Sequence, residues 1–299
     1  MTLISDIAAP RTLLRLDTLR RLPFALRSGL VILTAEVVIA VLANWLYPGD
    51  PFDLAGAPFL APGDDPQFPL GTDILGRDIA AGLVHGARIS LIVGILGVVF
   101  SGALGIALGL IAGYFGGRVD TVIMRIADVQ LTFPPILIAL LVNGIAKSVS
   151  GNHLEWLSML AVLVLAIGLS FWVQYARTVR SSVMVEKNKD YVAAAQLIGL
   201  PAPVIMLRHV LPNTTGPVLV IATINLALAI ITEATLSFLG SGMPETMPSL
   251  GTLIRIGNNY LFAGEWWIVA FPGLALAGLI LAINLLGDWL RDALNPKLR

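Results

Sequence analysis

Long apolar runs without charge most constrain what this chain of 299 residues can fold into. A helix needs roughly 20 apolar residues to cross about 30 Å of hydrocarbon. Four uncharged runs approach or exceed that length: residues 89–117, 157–176, 210–232 and 266–287. The mean hydropathy is +0.85, and only 13% of residues are charged. These values are typical of an integral membrane protein.

Two further apolar runs contain charged residues. Glu36 lies within residues 28–47, and Arg125 and Asp128 lie near the start of residues 121–143. Counting both runs, the sequence predicts an all-α polytopic protein with six transmembrane helices. The predicted spans are about 28–47, 89–115, 121–143, 157–176, 212–235 and 267–287. They form one domain, 28–299, after an N-terminal arm, 1–27, which we expect to be retained because the following apolar run is too long for a signal peptide.

The distribution of Lys and Arg predicts the orientation of the chain. If the N-terminus is inside, 15 of the 19 cations fall in cytoplasmic segments. Only Arg77, Arg88, Lys147 and Arg255 fall outside. Because cytoplasmic segments retain positive charge, we expect both termini in the cytoplasm.

The sequence lacks the residues that several classes of active site require. None of the four lysines follows a glycine, so there is no Walker-type phosphate loop. The chain has no cysteine, and its three histidines lie in segments predicted on different sides of the membrane. No Gly-x-Ser-x-Gly motif occurs, and a net charge of zero argues against a nucleic-acid partner. We therefore expect that the chain is not an enzyme and binds no metal or cofactor itself.

A polar, proline-punctuated stretch, residues 190–213, separates two of the apolar runs. Asp190 as N-cap, the alanines after it, and Gly199 followed by Pro201 predict one helix of about two to three turns. It is too short and too polar to span the bilayer, but its small face could fit a groove on another protein. The alternative is an interfacial helix on lipid headgroups, which is less favoured because residues 193–195 offer little apolar anchoring.

The same stretch resembles the EAA loop of permease subunits in bacterial ABC importers. The matching features are the alanine pair, Gly199 four residues after Ala195, and Leu211-Pro212 twelve and thirteen residues further on. In that family the loop, here 177–211, forms a coupling helix that sits in a cleft of the ATPase subunit. Ala193 stands where the family has its name-giving Glu, so no salt bridge is implied there. The resemblance implies an ATPase contact by Asp190, Tyr191, Ala193, Ala194, Ala195, Gly199 and Pro212.

Other segments are similar to C-type dipeptide and oligopeptide permeases, so that the resemblance covers residues 20–299. They are GTDILGRD at 71–78, GARISL at 86–91, LIAGYFGGRVD at 110–120, LSFLGSG at 236–242 and the closing GDWLRDALNPKLR. The resemblance implies a type I ABC importer permease fold in the bacterial inner membrane. It further implies a heterodimer with a second permease subunit, two ATP-binding subunits that hold ATP and Mg, an extracytoplasmic solute-binding protein, and import of small peptides. Glutathione and nickel chelates remain alternative solutes.

Small residues recur every four positions through the second predicted span. Such a stripe allows close approach of another helix, either from this chain or from the sister permease. Its members are Gly97, Ser101, Gly105, Gly109, Gly113 and Gly117.

Charges within the membrane cost about 2.5 to 3.5 kcal/mol each at its centre and need an explanation. Arg125 and Asp128 are three residues apart and can pair with each other. Glu36 lies in a span that the resemblance implies is peripheral, so we expect it to contact a partner. Glu233 could line the mouth of the solute path or bind a backbone donor. The candidates for the path are Thr223, Asn225, Thr232 and Glu233.

Residues 48–87 are rich in Pro, Gly and Asp and are predicted to form an outer loop. Its charged residues could clamp one another or contact an incoming binding protein. Trp266 and Trp267 are predicted to mark the membrane interface. The loop's motif residues are Gly71, Thr72, Asp73, Gly76, Arg77 and Asp78.

Two classes outside the family fit the sequence less well. A secondary transporter would show an internal repeat and ionisable residues near the middle of the membrane. No repeat is visible, and Glu36 is the only charge well inside a span. A membrane-embedded enzyme would need a catalytic constellation, and the sequence shows none.

Overall fold

The structure, a computed structural model, describes residues 24–150, 156–244 and 247–294. Most of the predicted N-terminal arm, 1–27, lies outside the described residues. Within these residues the regular secondary structure is helical, apart from one isolated bridge between Thr72 and Asp78 in the loop before the helix Ile79–Phe115. The predicted all-α class is therefore confirmed.

The helices are numbered here in chain order. A π-helix, Ile205–Val210, leads directly into α9, and a 3₁₀ turn, Leu261–Ala263, precedes α11. The α-helices are α1 (Phe24–Val41), α2 (Ala43–Leu46), α3 (Ile79–Phe115), α4 (Gly117–Leu131), α5 (Pro135–Ser150), α6 (Trp156–Glu186), α7 (Asp190–Leu197), α8 (Ala202–Val204), α9 (Leu211–Phe238), α10 (Leu250–Asn258) and α11 (Trp267–Ala293).

Four helical stretches of the described chain are long and apolar enough to cross a membrane: α3, α6, Ala202–Phe238 and α11. The bent pair Gly117–Leu131 and Pro135–Ala146 adds a fifth candidate if it is counted as one span. At the first predicted span the structure has α1, of 18 residues, followed by the short α2. The predicted count of six thus stays a prediction.

Residues 121–143 form parts of two helices rather than one straight helix, and the predicted span itself stays a prediction. The chain leaves the helix at residues 132–134, and the axes of α4 and α5 differ by 94°. Pro134 and Pro135 cause the break, because each proline lacks an N–H and disfavours helical backbone in the residue before it. The adjacent prolines were the sequence signal for this bend.

The small-residue stripe of α3 packs against α6 of the same chain. A Cβ added at Gly105 would lie 2.4 Å from the Trp172 carbonyl oxygen, and one at Gly109 would lie 2.6 Å from that of Ala176. Contact within the chain is therefore the alternative that the structure supports. Gly117 is not part of this stripe, because it begins α4 with a φ of +55°.

Ion pairs between α4 and α6 replace the predicted pair within α4. Asp128 accepts a hydrogen bond from Arg177 on α6, at 2.5 Å, rather than from Arg125. One turn nearer the end of α6, Arg180 donates from Nη2 to Asp120 at 2.6 Å and also pairs through Nε. Contact between α4 and α6 brings these acidic residues to their partners, which sequence spacing alone does not reveal.

Candidate functional site

The short helix α7 is fixed to the ends of three long helical stretches. Val192 and Ala195 are its buried residues, and they face the bundle. They belong to one apolar cluster with residues of α3, α6 and the π-helix, namely Leu110, Val179, Val183, Ile205 and Val210. The helix is therefore packed on the bundle. A movement of α7 would displace the adjoining ends of α3, α6 and the π-helix.

The opposite face of α7 is exposed and largely apolar. Ala193 and Ala194 are exposed, and Leu197 and Ile198 are 89% and 78% exposed. Small residues beside two bulky apolar ones form a surface suited to a groove on another protein. Leu197 and Ile198 were missed from sequence, although they follow Ala194 at helical spacing. Ala195, predicted at this surface, instead faces the bundle.

The two ends of α7 agree only partly with the sequence prediction. The N-cap is Lys189, and Asp190 is the first helical residue, without a side-chain capping bond. A carboxylate in the first turn is still favourable beside the positive end of the helix dipole. At the other end Gly199 has a φ of +84°, which confirms it as the left-handed terminator. Its N–H binds the Gln196 carbonyl at 2.9 Å and the Leu200 N–H binds that of Ala195 at 3.1 Å, as in a Schellman motif.

Polar contacts tie α7 to α6 and α9. The Tyr191 hydroxyl donates to Glu186 Oε2 at 2.7 Å and accepts from Asn213 Nδ2 at 3.1 Å. Lys189 Nζ pairs with Glu186 Oε1 at 2.6 Å. Burial raises the pKa of Tyr191, and its bond to Glu186 adds to the effect. The hydroxyl therefore stays protonated and remains a donor.

Pro212 shapes the connection from α7 to α9. It is exposed in the first turn of α9, directly after the π-helix. The Leu211 N–H reaches back five residues to the Met206 carbonyl. A proline has no N–H to donate, and its ring conflicts with the carbonyl four residues earlier, so a wider turn before Pro212 relieves the clash.

The predicted path residues on α9 do not line an open surface of this chain. Asn225 and Glu233 have no exposed area, and Thr232 is buried. Asn225 lies beside the Tyr175 hydroxyl without reaching good hydrogen-bond geometry. Thr223 is half-buried and faces α11, where a Cβ on Gly287 would lie 2.7 Å from its hydroxyl oxygen. Within this chain α9 packs on α3, α6 and α11 together, which leaves Asn225, Thr232 and Glu233 inside, and their part in the solute path stays a prediction.

Glu233 contacts serine hydroxyls rather than a path mouth or a backbone donor directly. Ser90 donates to its Oε2 and Ser237 to its Oε1, both at 2.7 Å. Glu36 likewise faces this chain, since a Cβ on Gly278 of α11 would lie 3.2 Å from its Oε1. Glu36 is half-buried and packs on α11, and its expected contact with a partner stays a prediction. Among the residues that the structure describes, no cluster of three His, Asp or Glu could hold a metal ion.

The predicted outer loop is folded on itself by its motif residues. The buried Thr72 hydroxyl donates to the Ala57 carbonyl at 2.6 Å and accepts from the Leu60 N–H at 2.9 Å. Gly71 and Gly76 have φ values of +80° and +78°. An added Cβ would lie only 2.3 Å and 2.1 Å from backbone oxygens at these two positions. Only glycine tolerates both the positive φ and the close approach of a backbone oxygen.

The charged motif residues form no ion pair with one another, and Asp73 holds Arg77 through its backbone instead. Asp73 Oδ1 accepts from the backbone N–H groups of Leu75 and Arg77. The Arg77 guanidinium lies 4.5 Å above the Phe52 ring centre. Asp78 caps α3 by accepting from the Ala80 N–H at 2.8 Å. Burial raises the pKa of Asp78, and backbone N–H groups partly offset this.

Only one of the two tryptophans fits the predicted interface position. Trp266 is exposed, whereas Trp267 is buried. The Trp267 indole N–H donates to the Thr72 carbonyl at 3.3 Å and so fastens the loop to the start of α11. The prediction fails for Trp267 because the loop covers it.

Comparison with known proteins identifies the family of this chain. Residues 105–299 match the family described as the binding-protein-dependent transport system inner membrane component. The chain belongs to this permease family. The matched region includes α7, both of its anchoring helices α6 and α9, and most of the α3 stripe.

Relatives extend the similarity over nearly the whole chain. The dipeptide transport system permease protein DppC of Haemophilus influenzae is 38% identical over 91% of this chain and 90% of its own length. The protein of that name from Escherichia coli is 42% identical over 91% and 88%. The glutathione transport system permease protein GsiD of Pectobacterium atrosepticum is 37% identical over 92% and 87%.

The solved structure of the MetNI methionine ABC transporter in an inward-facing conformation shares the fold. It aligns with a TM-score of 0.55 at 19% sequence identity, covering 72% of this chain and 96% of that chain. This likeness confirms the predicted type I ABC importer permease fold. Together with the family match, this makes the chain a membrane-embedded permease component of a binding-protein-dependent transport system.

Proposed function

We propose that this chain forms half of the path by which a bacterial importer takes up di- or oligopeptides. The other half is a second permease subunit, and the complex includes two ATP-binding subunits and an extracytoplasmic solute-binding protein. ATP and Mg are bound by the ATP-binding subunits. The single observation that carries the proposal is α7, a short helix packed on the bundle with an exposed apolar face.

The peptide substrate is supported by the relatives at 38% and 42% identity that are named for dipeptide transport. The glutathione relative, at 37% identity, supports glutathione as a second candidate. Both candidates are small peptides with charged ends. A binding screen with the partner solute-binding protein, using dipeptides, oligopeptides and glutathione, separates them.

The mechanism follows from how α7 is held. Closure of the ATP-binding subunits around ATP pushes on the exposed face of α7. Because α7 is packed against the ends of α3, α6 and the π-helix, it acts as a rigid lever and changes the angle of these helices. The permease then alternates between inward-open and outward-open states. In the proposed orientation, α7 and both termini are cytoplasmic.

The test is Ala194→Asp in the assembled importer. The substitution adds a charge to the exposed face without entering the core, so the chain still folds and inserts. An unpaired carboxylate in a packed protein cleft is strongly unfavourable. We expect loss of the ATP-binding subunits on co-purification and loss of peptide uptake. Ala194→Ser is the size-matched control, and Ala263→Asp, at an exposed alanine, is the charge-matched control.

Normal uptake and full retention of the ATP-binding subunits by Ala194→Asp would show that α7 is only a connector. Loss of uptake in Ala263→Asp alone would place the sensitive surface away from α7. Both measurements use the complete complex in reconstituted membranes.

A further inference from the structure

Glu233 is a carboxylate buried inside the described bundle, and it accepts hydrogen bonds at both oxygens. The Ser90 hydroxyl of α3 binds Oε2, and the Ser237 hydroxyl of α9 binds Oε1, each at 2.7 Å. Burial of a charge without such donors is very costly. The burial of this carboxylate among hydroxyl donors therefore calls for a structural or functional explanation.

Two hydrogen-bond chains lead from the carboxylate to the segment between α9 and α10. The Leu250 N–H donates to Ser90 Oγ at 3.2 Å, and the Met243 N–H donates to Ser237 Oγ at 3.2 Å. Each serine thus accepts from the backbone and donates to Glu233. The carboxylate is the common end of both chains, and only an acceptor at both oxygens satisfies them together.

The start of α10 is wedged between α3 and α9 at this point. Ser249 caps α10 by accepting from the Thr252 N–H at 3.2 Å. A Cβ on Gly251 would lie 2.4 Å from the Ala234 carbonyl oxygen of α9, and one on Gly86 would lie 3.3 Å from the Ser249 carbonyl carbon. The positive end of the α10 dipole therefore approaches Glu233, which offsets part of the cost of the buried charge.

This junction lies at the end of the bundle opposite α7. Ser90 is near the start of α3, whereas Leu110, which packs against α7, is near its end. At a rise of about 1.5 Å per residue, the two positions are roughly 30 Å apart. The junction thus occupies the end that the proposed function assigns to the outer side.

We propose that Glu233 is a positioning residue for transport, holding α10 against α3 and α9 through the two serine relays. The part concerning transport rests on the proposed function, whereas the part concerning the position of α10 does not. Replacing the carboxylate by an amide turns one acceptor into a donor. The serine that faces the amide N–H must then accept from it, which leaves that serine's own hydroxyl proton without its acceptor. The relay is weaker, so α10 separates from α3 more often.

The test combines Glu233→Gln with a cross-link between α3 and α10 in the whole importer purified from its host. Gly82→Cys and Leu253→Cys give the cross-link, because a Cβ at Gly82 would lie 3.4 Å from a Leu253 methyl. The natural chain contains no cysteine, so the two new thiols are the only ones that this chain contributes, and a cross-link within it is read from its own band. We expect copper-catalysed cross-linking to slow about tenfold or more, as loss of a hydrogen bond to a buried carboxylate implies. Peptide uptake should fall by a similar factor, with the ATP-binding subunits retained.

Thr235→Val is the matched control, because the Thr235 hydroxyl bonds only within α9, to the Ile231 carbonyl at 2.7 Å. If Glu233→Gln does not assemble, Ser90→Ala removes one relay and Ser237→Ala the other. An unchanged cross-linking rate in all assembled variants would overturn the inference, whatever the uptake. Slower cross-linking in a complex whose natural form imports no peptide would support the position of α10 and reject the proposed function.

Discussion

At the scale of single residues, Gly199 shows how one backbone angle ends a helix and starts a functional loop. Its φ of +84° lies in the left-handed region, where residues with a Cβ are disfavoured. An added Cβ would meet no atom within 4 Å. Any effect of substitution therefore comes from backbone strain alone, without steric clash.

Gly199→Val should weaken coupling while leaving insertion intact. The cost is about 1 to 2 kcal/mol for the left-handed backbone and more for a β-branched side chain. This strain should shift the end of α7 and lower solute-stimulated ATPase activity in the reconstituted complex. Gly199→Asn is the control, because asparagine tolerates this conformation better. Equal stimulation in both variants would contradict the role of this backbone angle.

At the scale of helices, the contact between α3 and α6 forms the central pair of the described bundle. Glycines at 105, 109 and 113 bring the two backbones together, with added Cβ atoms 2.4 to 2.9 Å from α6 backbone oxygens. Lipid tails are as apolar as leucine, so close packing rather than exclusion from water stabilises such pairs. The same pair carries Val179 and Val183, against which α7 packs.

Gly109→Leu should therefore prevent normal assembly. A leucine cannot fit where a Cβ would lie 2.6 Å from the Ala176 carbonyl oxygen, and overpacking costs about 1 to 3 kcal/mol or more. We expect a lower yield of folded complex and a lower melting temperature in detergent. Gly144→Leu on α5 is the matched control, because a Cβ there meets nothing within 4 Å. A natural yield from Gly109→Leu would mean that α3 and α6 are not in this contact.

At the scale of the whole molecule, the functional surfaces lie at opposite ends of α3. The α7 surface is at its C-terminal end, and the loop of residues 48–78 with α10 is at its N-terminal end. The excess of Lys and Arg in segments that include α7 predicts that this end is cytoplasmic. A permease coupled to ATP hydrolysis needs this separation, since ATP is available on one side and solute arrives from the other.

Single cysteines test the orientation. Asn188→Cys and Asp64→Cys are both at exposed positions, and the natural chain contributes no thiol. In intact cells a membrane-impermeant maleimide should label Asp64→Cys, and it should label Asn188→Cys only after permeabilisation. The reverse pattern would overturn the predicted topology and the assignment of α7 to the ATP-binding subunits.

The sequence by itself determined the features that rest on local chemistry. Length and apolarity of the runs predicted a helical membrane protein, and Gly199 before Pro201 predicted the end of α7. Glycine spacing predicted a close helix contact, because four-residue spacing places residues on one face whatever the partner is. The short helix α7 was therefore predicted in outline, although Leu197 and Ile198 were not recognised as part of its exposed face.

Only the tertiary structure decided which polar groups face each other and which lie inside. Asn225, Thr232 and Glu233 are inside because three other helices surround α9, and Asp128 meets Arg177 because α4 lies beside α6. In a water-soluble helix the apolar stripe marks the buried face. Inside a membrane both the lipid face and the protein face are apolar, so hydropathy cannot tell them apart. Contacts between segments far apart in the chain set which side of each helix faces the protein. No local sequence pattern contains that information.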